Sequence, residues 1–484
     1  MKIKRILIAN RGEIALRIIK TCKSLNISTV VVYAKDDKNR LVENACDRYI
    51  SLTGSTIHHT YMNQKKIIKV AKKESCDAIH PGYGFLAEDP RFAELCEKSG
   101  LVFIGPSSTS LAIAGDKLTC RAAAADTGIP IIPASSLIHN HTQLGHFASQ
   151  EGYPLILKSI HAGGGRGMRL INNFSDLKPA LISSVEEISE SFASSQIFAE
   201  KFVKGRHIEI QFLVDTHGTC VCLPERECSV QRRFQKLIEE TPSPAVDSTI
   251  RRKLFDLVRR IAVSVEYSGA GTVEFIMTPN KRLYFLEINP RIQVEHGISE
   301  AITGMDLVKE QILIAEGKRV ASPSWKGHAI ECRIVAENVR DDFSPTYGRI
   351  DKISLPDIPG VRVDTAVHPD LKIHHKYDSL LMKIISYAST RQAALNRMHK
   401  ALENTIISGV QNNIEFSKLL IRDKGFSKGN ISTSFVTDRN LVKKYTDDTL
   451  NIENIANIVL LIFQYEKKNE ISCKNSWSRR LPPD

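Results

Sequence analysis

Long hydrophobic runs are absent from this chain of 484 residues. The longest apolar stretch near the C-terminus, Ile458 to Phe463, falls far short of the ~20 residues a helix needs to cross a bilayer, so no membrane span is expected. The ten cysteines are scattered, only Cys220 and Cys222 lie close, and no CxxC pair occurs. A zinc ribbon and a thioredoxin-like redox motif are thereby excluded, and a reducing compartment is expected. Met1-Lys2-Ile3-Lys4-Arg5 leads straight into a strand-like stretch without the apolar segment and small-residue cleavage site of a secretory signal, which makes the cytoplasm the expected location. Two nucleotide fingerprints are missing as well. No GxGxxG follows the first strand-like segment, where the turn reads Asn10-Arg11-Gly12-Glu13, and the P-loop spacing GxxxxGK(S/T) is absent.

What remains is an ordinary globular composition with surplus positive charge. Hydrophobic residues at 42% and charged residues at 25% fit neither disorder nor a fibrous repeat. At ~150 residues per domain the length predicts about three domains. Sixty-six Lys and Arg against 54 Asp and Glu give a net charge of +12, which asks for an anionic partner: nucleic acid, acidic lipid, or a nucleotide with an anionic substrate. Arg232-Arg233, Arg251-Arg252-Lys253 and Arg259-Arg260 are short and read as solvated surface. With no module of stacking aromatics and basic residues in view, nucleic acid is not an expected partner.

Residues 1–115 read as a small doubly wound domain. Ile6 to Ala9 and Thr29 to Tyr33 look like buried parallel strands, Ile14, Ile18, Cys22 and Leu25 recur between them at helical spacing, and the pattern returns at Ala78-Ile79 and Val102 to Ile104. Residues 116–325 carry longer strands, a glycine-rich loop and an acidic hairpin. Residues 326–446 form a third segment: Ile330, Cys332 and Ile334 alternate with Glu331 and Arg333 as in a half-buried strand, followed by strand-like Val361 to Val363 and Leu380 to Ile385 and a helical Arg391 to Asn404. Residues 447–484 predict a helix, Leu450 to Glu466, and a polar tail with Trp477 and Arg479-Arg480.

The chemistry concentrates in the middle segment. Lys158 ends an apolar strand and is followed by Ala162-Gly163-Gly164-Gly165-Arg166-Gly167-Met168, where glycines let backbone N–H groups approach phosphate oxygens; a flexible surface turn is the plainer alternative. Glu274 is an acid in an apolar strand, costly to bury unless paired or metal-bound. Glu287, Asn289, Arg291, Gln293 and Glu295 fall at strict period two, which puts five polar groups on one face of an extended chain. Glu274, Glu287 and Asn289 are hard oxygen donors suited to Mg²⁺ or Mn²⁺, with Arg291, Gln293 and Glu295 beyond them to bind an anion and act as a base. A purely structural ion-pair ladder remains the competing explanation.

Asn10 to Ala15, His80-Pro81-Gly82-Tyr83-Gly84-Phe85-Leu86, Gly163 to Met168, Glu225 to Arg233 and Glu287 to His296, in that order, resemble biotin carboxylase of the ATP-grasp superfamily over about residues 1–446. The resemblance implies a three-domain α/β ATP-grasp architecture. It implies an ATP-dependent ligase that phosphorylates bicarbonate to carboxyphosphate and carboxylates biotin, the first half-reaction of acetyl-CoA or other acyl-CoA carboxylases. By the same resemblance Lys117, Lys158, Glu200, Lys201, Val203, His207 and Gln231 bind the nucleotide, with Gly163, Gly164, Gly165, Arg166 and Gly167 closing over its phosphates. Glu274, Glu287 and Asn289 match metal ligands. Lys236, Arg291, Gln293 and Val294 match the bicarbonate site and Glu295 its base, which beside Arg291 and a divalent metal is expected to have a depressed pKa, while Arg362 matches the arginine that stabilises the biotin enolate and Tyr83 lies near the biotin ring. From the residues alone, Arg362 reads equally well as an exposed strand residue paired with a carboxylate, and Lys117 as a solvated helix start.

The sequence departs from the family at Phe234, where a histidine is usual in QRRHQK, at Ala162, where a glycine is usual, and at Leu86-Ala87-Glu88-Asp89. No Met-Lys-Met biotinylation sequence occurs, so biotin is expected on a separate carrier protein, with separate carboxyltransferase subunits and a homodimer as further partners implied by the resemblance. Two rivals stay open: another ATP-grasp carboxylate ligase, and a nucleotide-binding paralogue weakened at Phe234.

Overall fold

A computed structural model describes residues 2–160, 167–191 and 196–448 of the chain. The glycine-loop residues Gly163, Gly164, Gly165 and Arg166 and the tail with its expected helix lie outside the described residues. No helix among the described residues is long and apolar enough to cross a membrane.

Five parallel strands, β1 (Arg5–Ile8), β2 (Ser28–Ala34), β3 (Arg48–Leu52), β4 (Ala78–His80) and β5 (Val102–Phe103), form the first sheet in the order β3-β2-β1-β4-β5. The helix Gly12–Ser24 buries Ile14, Ala15, Ile18, Ile19 and Cys22, the stripe that the helical spacing predicts. Strand order reverses at β1, so a crevice opens beyond its carboxyl end. There Asn10 Nδ2 donates to the Pro81 and Tyr83 carbonyls, both at 2.7 Å, and ties the first turn to the His80–Leu86 segment.

A three-stranded antiparallel sheet follows, with β6 (Leu155–Ser159) between β7 (Arg169–Ile171) and β8 (Ile197–Lys201). The remaining large sheet contains β9 (Arg206–Val214), β10 (Cys220–Cys222), β11 (Arg226–Arg232), β12 (Gln235–Thr241), β13 (Gly269–Met277), β14 (Leu283–Asn289), β15 (His328–Val335), β16 (Val361–Thr365) and β17 (Leu380–Ala388). Its order is β14-β13-β9-β11-β12-β15-β17-β16, with β10 on β9. Pairing of β12 with β15, from Ile238↔Cys332 to Thr241↔Ala329, runs the sheet unbroken from the middle segment into the third. Without β15, the edge of β12 would present unpaired N–H and C=O groups.

One face of this sheet is apolar. Val230, Ile238, Ile330, Cys332, Ile334, Met382 and Ile384 pack with Leu395, Met398 and Leu402 of the helix Arg391–Glu403. The alternate residues Glu239, Glu331, Arg333 and Lys383 take the other face. Contrary to the half-exposed reading of β15, Glu331 is fully buried. The helix His296–Thr303 lies over this face, close enough that a Cβ at Gly297 would collide with Ile385 and come within 3.5 Å of Glu331. One of the short basic runs also differs from plain solvated surface, since Arg251 grips the buried Glu225 at 2.6 and 2.7 Å, whereas Arg232 and Arg233 pair with Asp342 at the surface.

Two fully buried imidazoles, His80 and His296, each contribute stability that is lost as pH falls. Burial pushes His80 down to about 3, and burial together with Lys383, Arg17 and Arg362 holds His296 well below its ordinary value. In the unfolded chain both take up protons below about pH 6.5, whereas the folded imidazoles stay neutral. Their contribution is therefore complete above pH 6.5 and falls as pH drops towards the folded pKa values, by about 1.4 kcal/mol per pH unit for each group. Because burial raises the pKa of Glu239 to about 7, which acts with the opposite sign over this range, the contribution is read by difference. Urea unfolding at pH 7 and pH 5 should show the parent losing about 2 kcal/mol more, or gaining that much less, than His80→Gln, and equal changes in the two proteins contradict it.

Candidate active site

Three neighbouring strands align acids. Register pairs Glu209 of β9 with Glu274 of β13, and Glu274 with Glu287 of β14, while Arg226 of β11 pairs with Glu209 on the other side. Carboxylates side by side in a sheet repel, so the arrangement persists only where cations are supplied. Lys236, at the start of β12, reaches over the row. Its Nζ lies 2.6 Å from Glu209 Oε2, 3.0 Å from Glu274 Oε1 and 2.6 Å from Glu295 Oε1, with Gln293 Oε1 at 3.4 Å. Arg226, with no exposed surface, pairs with Glu209 through Nε and bonds Gln211, Ser299 and Thr272 at 3.0–3.1 Å.

Glu295 is ionised in this setting. Burial would raise its pKa, but Lys236, Arg333 and Arg226 outweigh burial and hold the carboxyl well below the usual carboxylate range. Arg333 Nη2 reaches Glu295 Oε2 at 2.9 Å while its Nε holds Glu239 Oε1 at 2.6 Å. The depressed pKa expected for Glu295 is present, with Lys236 and Arg333 contributing more to it than Arg291 does. Arg291 is turned to Glu88 and to Asn289 Oδ1 at 3.3 Å and acts on Glu295 only from a distance, so Lys236 and Arg333 supply most of the charge. Glu274 is likewise held low against burial by Lys236 and by His207, whose Nε2 lies 2.8 Å from Glu274 Oε2.

The period-two face exists only in part. β14 stops at Asn289, before Pro290, which lacks the N–H that would continue the ladder. Glu295 stands in the turn before the helix His296–Thr303, so the chain itself bends Gln293 and Glu295 back towards Lys236. Of the expected metal donors, Asn289 Nδ2 donates to Glu274 Oε1 at 3.0 Å, and Glu287 is about a third exposed with Lys117 Nζ at 3.7 Å. Two carboxylates and a carboxamide at one edge of the acid row are a donor set that fits a hard divalent cation.

A second cationic group lies beside β6. Lys158 and Arg121 both pair with Glu200, which is 1% exposed, and Lys117 Nζ donates to the Ser159 carbonyl at 3.3 Å. Lys201 does not join them. Alternation along β8 turns its ammonium the other way, onto the Glu151 and Tyr153 carbonyls at 3.0 and 2.8 Å, so only its backbone faces the group expected at the nucleotide. Val203 is half-buried just past β8, and Gln231 is buried opposite Lys236 in the β11–β12 hairpin. Arg233 and Phe234 form the two-residue turn of that hairpin, both at positive φ (52° and 62°). This is the backbone of a primed turn, in which a bulky residue is strained relative to glycine. Gly167 also has positive φ, and its carbonyl accepts from Ser184 Oγ at 2.9 Å.

Across the sheet, Arg362 of β16 is clamped by Asp364 at 2.8 and 2.6 Å and by Glu300 at 2.6 Å, leaving about a third of its side chain exposed. Tyr83 donates its hydroxyl to Glu13. Glu209, Glu239 and Arg121 went unread in the sequence, and Arg226 and Arg333 were read only as part of a motif and of a strand's polar face. The signal for the first was present: His207, Glu209 and Gln211 alternate with Ile208, Ile210 and Phe212, which puts polar groups on the site's face of β9.

Residues 2–111 match the family model of the biotin carboxylase N-terminal domain, 116–322 that of the carbamoyl-phosphate synthase L chain ATP-binding domain, and 331–438 that of the biotin carboxylase C-terminal domain. Biotin carboxylase 1 of Bacillus subtilis is 43% identical over 441 residues, 90% of this chain and 98% of that protein. The biotin carboxylase of Haemophilus influenzae is 40% identical over 441 residues, again 90% of this chain and 98% of that protein. Among solved structures, the dimeric biotin carboxylase domain of Hydrogenobacter thermophilus 2-oxoglutarate carboxylase, in complex with MgADP, ADP and bicarbonate, superposes with a TM-score of 0.88 at 38% identity, over 91% of this chain and 99% of that one. This chain belongs to the biotin carboxylase family of ATP-grasp ligases.

Proposed function

We propose that the chain couples ATP cleavage to carboxylation of biotin by bicarbonate, acting on biotin held by a separate carrier protein and working as a dimer with carboxyltransferase subunits. The observation that carries this reading is the single ammonium of Lys236 shared among Glu209, Glu274 and Glu295. An anionic substrate entering there meets a cation, an ionised base and the acids of the metal row at once.

Lys236, Gln293 and the backbone at Val294 hold bicarbonate, with Arg291 beside them, and Glu295 takes its proton. Glu295 is a weak base while Lys236 and Arg333 neutralise it. When Lys236 turns part of its charge to the incoming anion, the basicity of Glu295 rises, which is the direction proton transfer requires. Bicarbonate oxygen then attacks the γ-phosphorus of ATP, forming carboxyphosphate and ADP. Lys117, Lys158 and His207 bind the nucleotide, the first two as point charges at its phosphates, with Glu200 orienting Lys158. Glu274 and Glu287, with Asn289, would hold Mg²⁺ or Mn²⁺, which supplies charge neutralisation at the phosphates. Arg362 places its guanidinium where negative charge develops on the ureido oxygen of biotin, and Tyr83 lines the ring.

The test is ATP hydrolysis with Mg²⁺, with and without bicarbonate and free biotin. Turnover that requires bicarbonate and rises with biotin is expected; turnover indifferent to bicarbonate points instead to another acid substrate.

A further inference from the structure

A buried polar cluster that none of these roles uses lies beneath the site, around Lys383. The side chain has no exposed surface and interrupts the apolar run Leu381-Met382-Lys383-Ile384 of β17. Placing an ammonium there is costly unless it is fully engaged, and it is. Nζ donates to the Val294 carbonyl at 2.7 Å and lies 3.3 Å from Glu13 Oε1 and 3.8 Å from Asp364 Oδ2.

Each contact leads to a different part of the proposed reaction centre. Val294 is the turn residue between Gln293 and Glu295, whose side chains meet Lys236. Asp364 grips Arg362 through two hydrogen bonds. Glu13 accepts from Tyr83. Register puts Lys383 directly opposite Asp364 on one side and Arg333, the second partner of Glu295, on the other. One ammonium thus joins three chain segments far apart in sequence.

We propose that Lys383 is a positioning residue that couples the bicarbonate pocket to the biotin arginine. By fixing the Val294 carbonyl and Asp364 to one point it sets the distance between Glu295 and Arg362, so that carboxyphosphate formed beside the first splits its C–O bond into CO₂ and phosphate, the phosphate takes the ureido N–H proton of biotin, and the nitrogen captures the CO₂ beside the second. The inference rests on the biotin carboxylase reading above. It predicts a defect in coupling, not in nucleotide binding, since Lys117, Lys158 and Glu200 lie elsewhere.

The test uses the full chain with two variants, Lys383→Met and the charge-matched pair Glu13→Gln/Lys383→Met, the second removing one anion with the cation. ATP hydrolysis and biotin carboxylation are measured in parallel. Expected are a fall of about fivefold or more in biotin carboxylated per ATP cleaved, a rise of about tenfold in the KM for bicarbonate, and an unchanged KM for ATP, as for groups displaced without loss of the groups themselves. An unchanged coupling ratio in either folded variant overturns the proposal. So does an equal fall in both rates with every KM unchanged, or failure of both variants to fold, each of which assigns Lys383 to folding alone. Unaltered protein that hydrolyses ATP without regard to bicarbonate removes the functional reading itself, a result distinct from intact turnover with unaffected coupling.

Discussion

Glu295→Gln should lower bicarbonate-dependent ATP turnover by about 10²–10⁴-fold, the range a positioned general base supplies, with the KM for ATP little changed. Glutamine keeps the shape and one acceptor oxygen but cannot take a proton. The surroundings tolerate the change: Lys236 retains Glu209 and Glu274, and Arg333 retains Glu239 at 2.6 Å, so neither cation is stranded. The loss is therefore one of chemistry and not of folding, and thermal unfolding of the variant should report this. Steady-state rates at saturating ATP and bicarbonate are the measurement. A variant within about tenfold of the parent would remove Glu295 from the role of base.

Arg362→Met should separate the two halves of the reaction. Carboxylation of biotin is expected to fall by about 10²–10³-fold, the effect of losing one preorganised charge at a developing oxyanion, while bicarbonate-dependent ATP hydrolysis without biotin continues. The geometry supports a clean separation. Asp364 and Glu300 hold the guanidinium on a sheet edge opposite the Lys236 cluster, and when it is removed Asp364 keeps Lys383 at 3.8 Å and Glu300 keeps Arg17 at 2.6 Å. Methionine preserves the length of the stem. Equal loss of both activities would place Arg362 in the common site instead, and full retention of carboxylation would leave it an exposed strand residue paired with a carboxylate.

Apolar patterning alone located four of the five parallel strands, the helix Gly12–Ser24, the acid of β13 and the polar edge of β14; it missed β3, an edge strand with one buried residue, Leu52. These are local properties: a buried strand must be apolar, a helix facing a sheet must repeat at helical spacing, and an acid in an apolar strand must have a partner. The partner itself is not local. Glu295 was expected to lean on Arg291, four residues earlier, because that is the cation visible nearby in sequence. The structure gives most of that work to Lys236 and Arg333, 59 and 38 residues away along the chain. Lys201 illustrates the same limit, since strand alternation beside Glu200 decides its direction and sends it onto backbone carbonyls.

The sequence by itself determined the fold class, the order of the segments, the family resemblance and three of the groups that meet Lys236, namely Glu274, Gln293 and Glu295. It did so because core patterning and ordered motifs are written along the chain. The tertiary structure decided how those groups are charged and held: one continuous sheet across the second boundary, a strand broken before Pro290 so that Glu295 turns back on Lys236, and Lys383 buried among three distant segments. The reason is electrostatic. A buried charge answers to whichever opposite charge lies within a few ångströms, and only cross-strand register and helix packing bring such groups together.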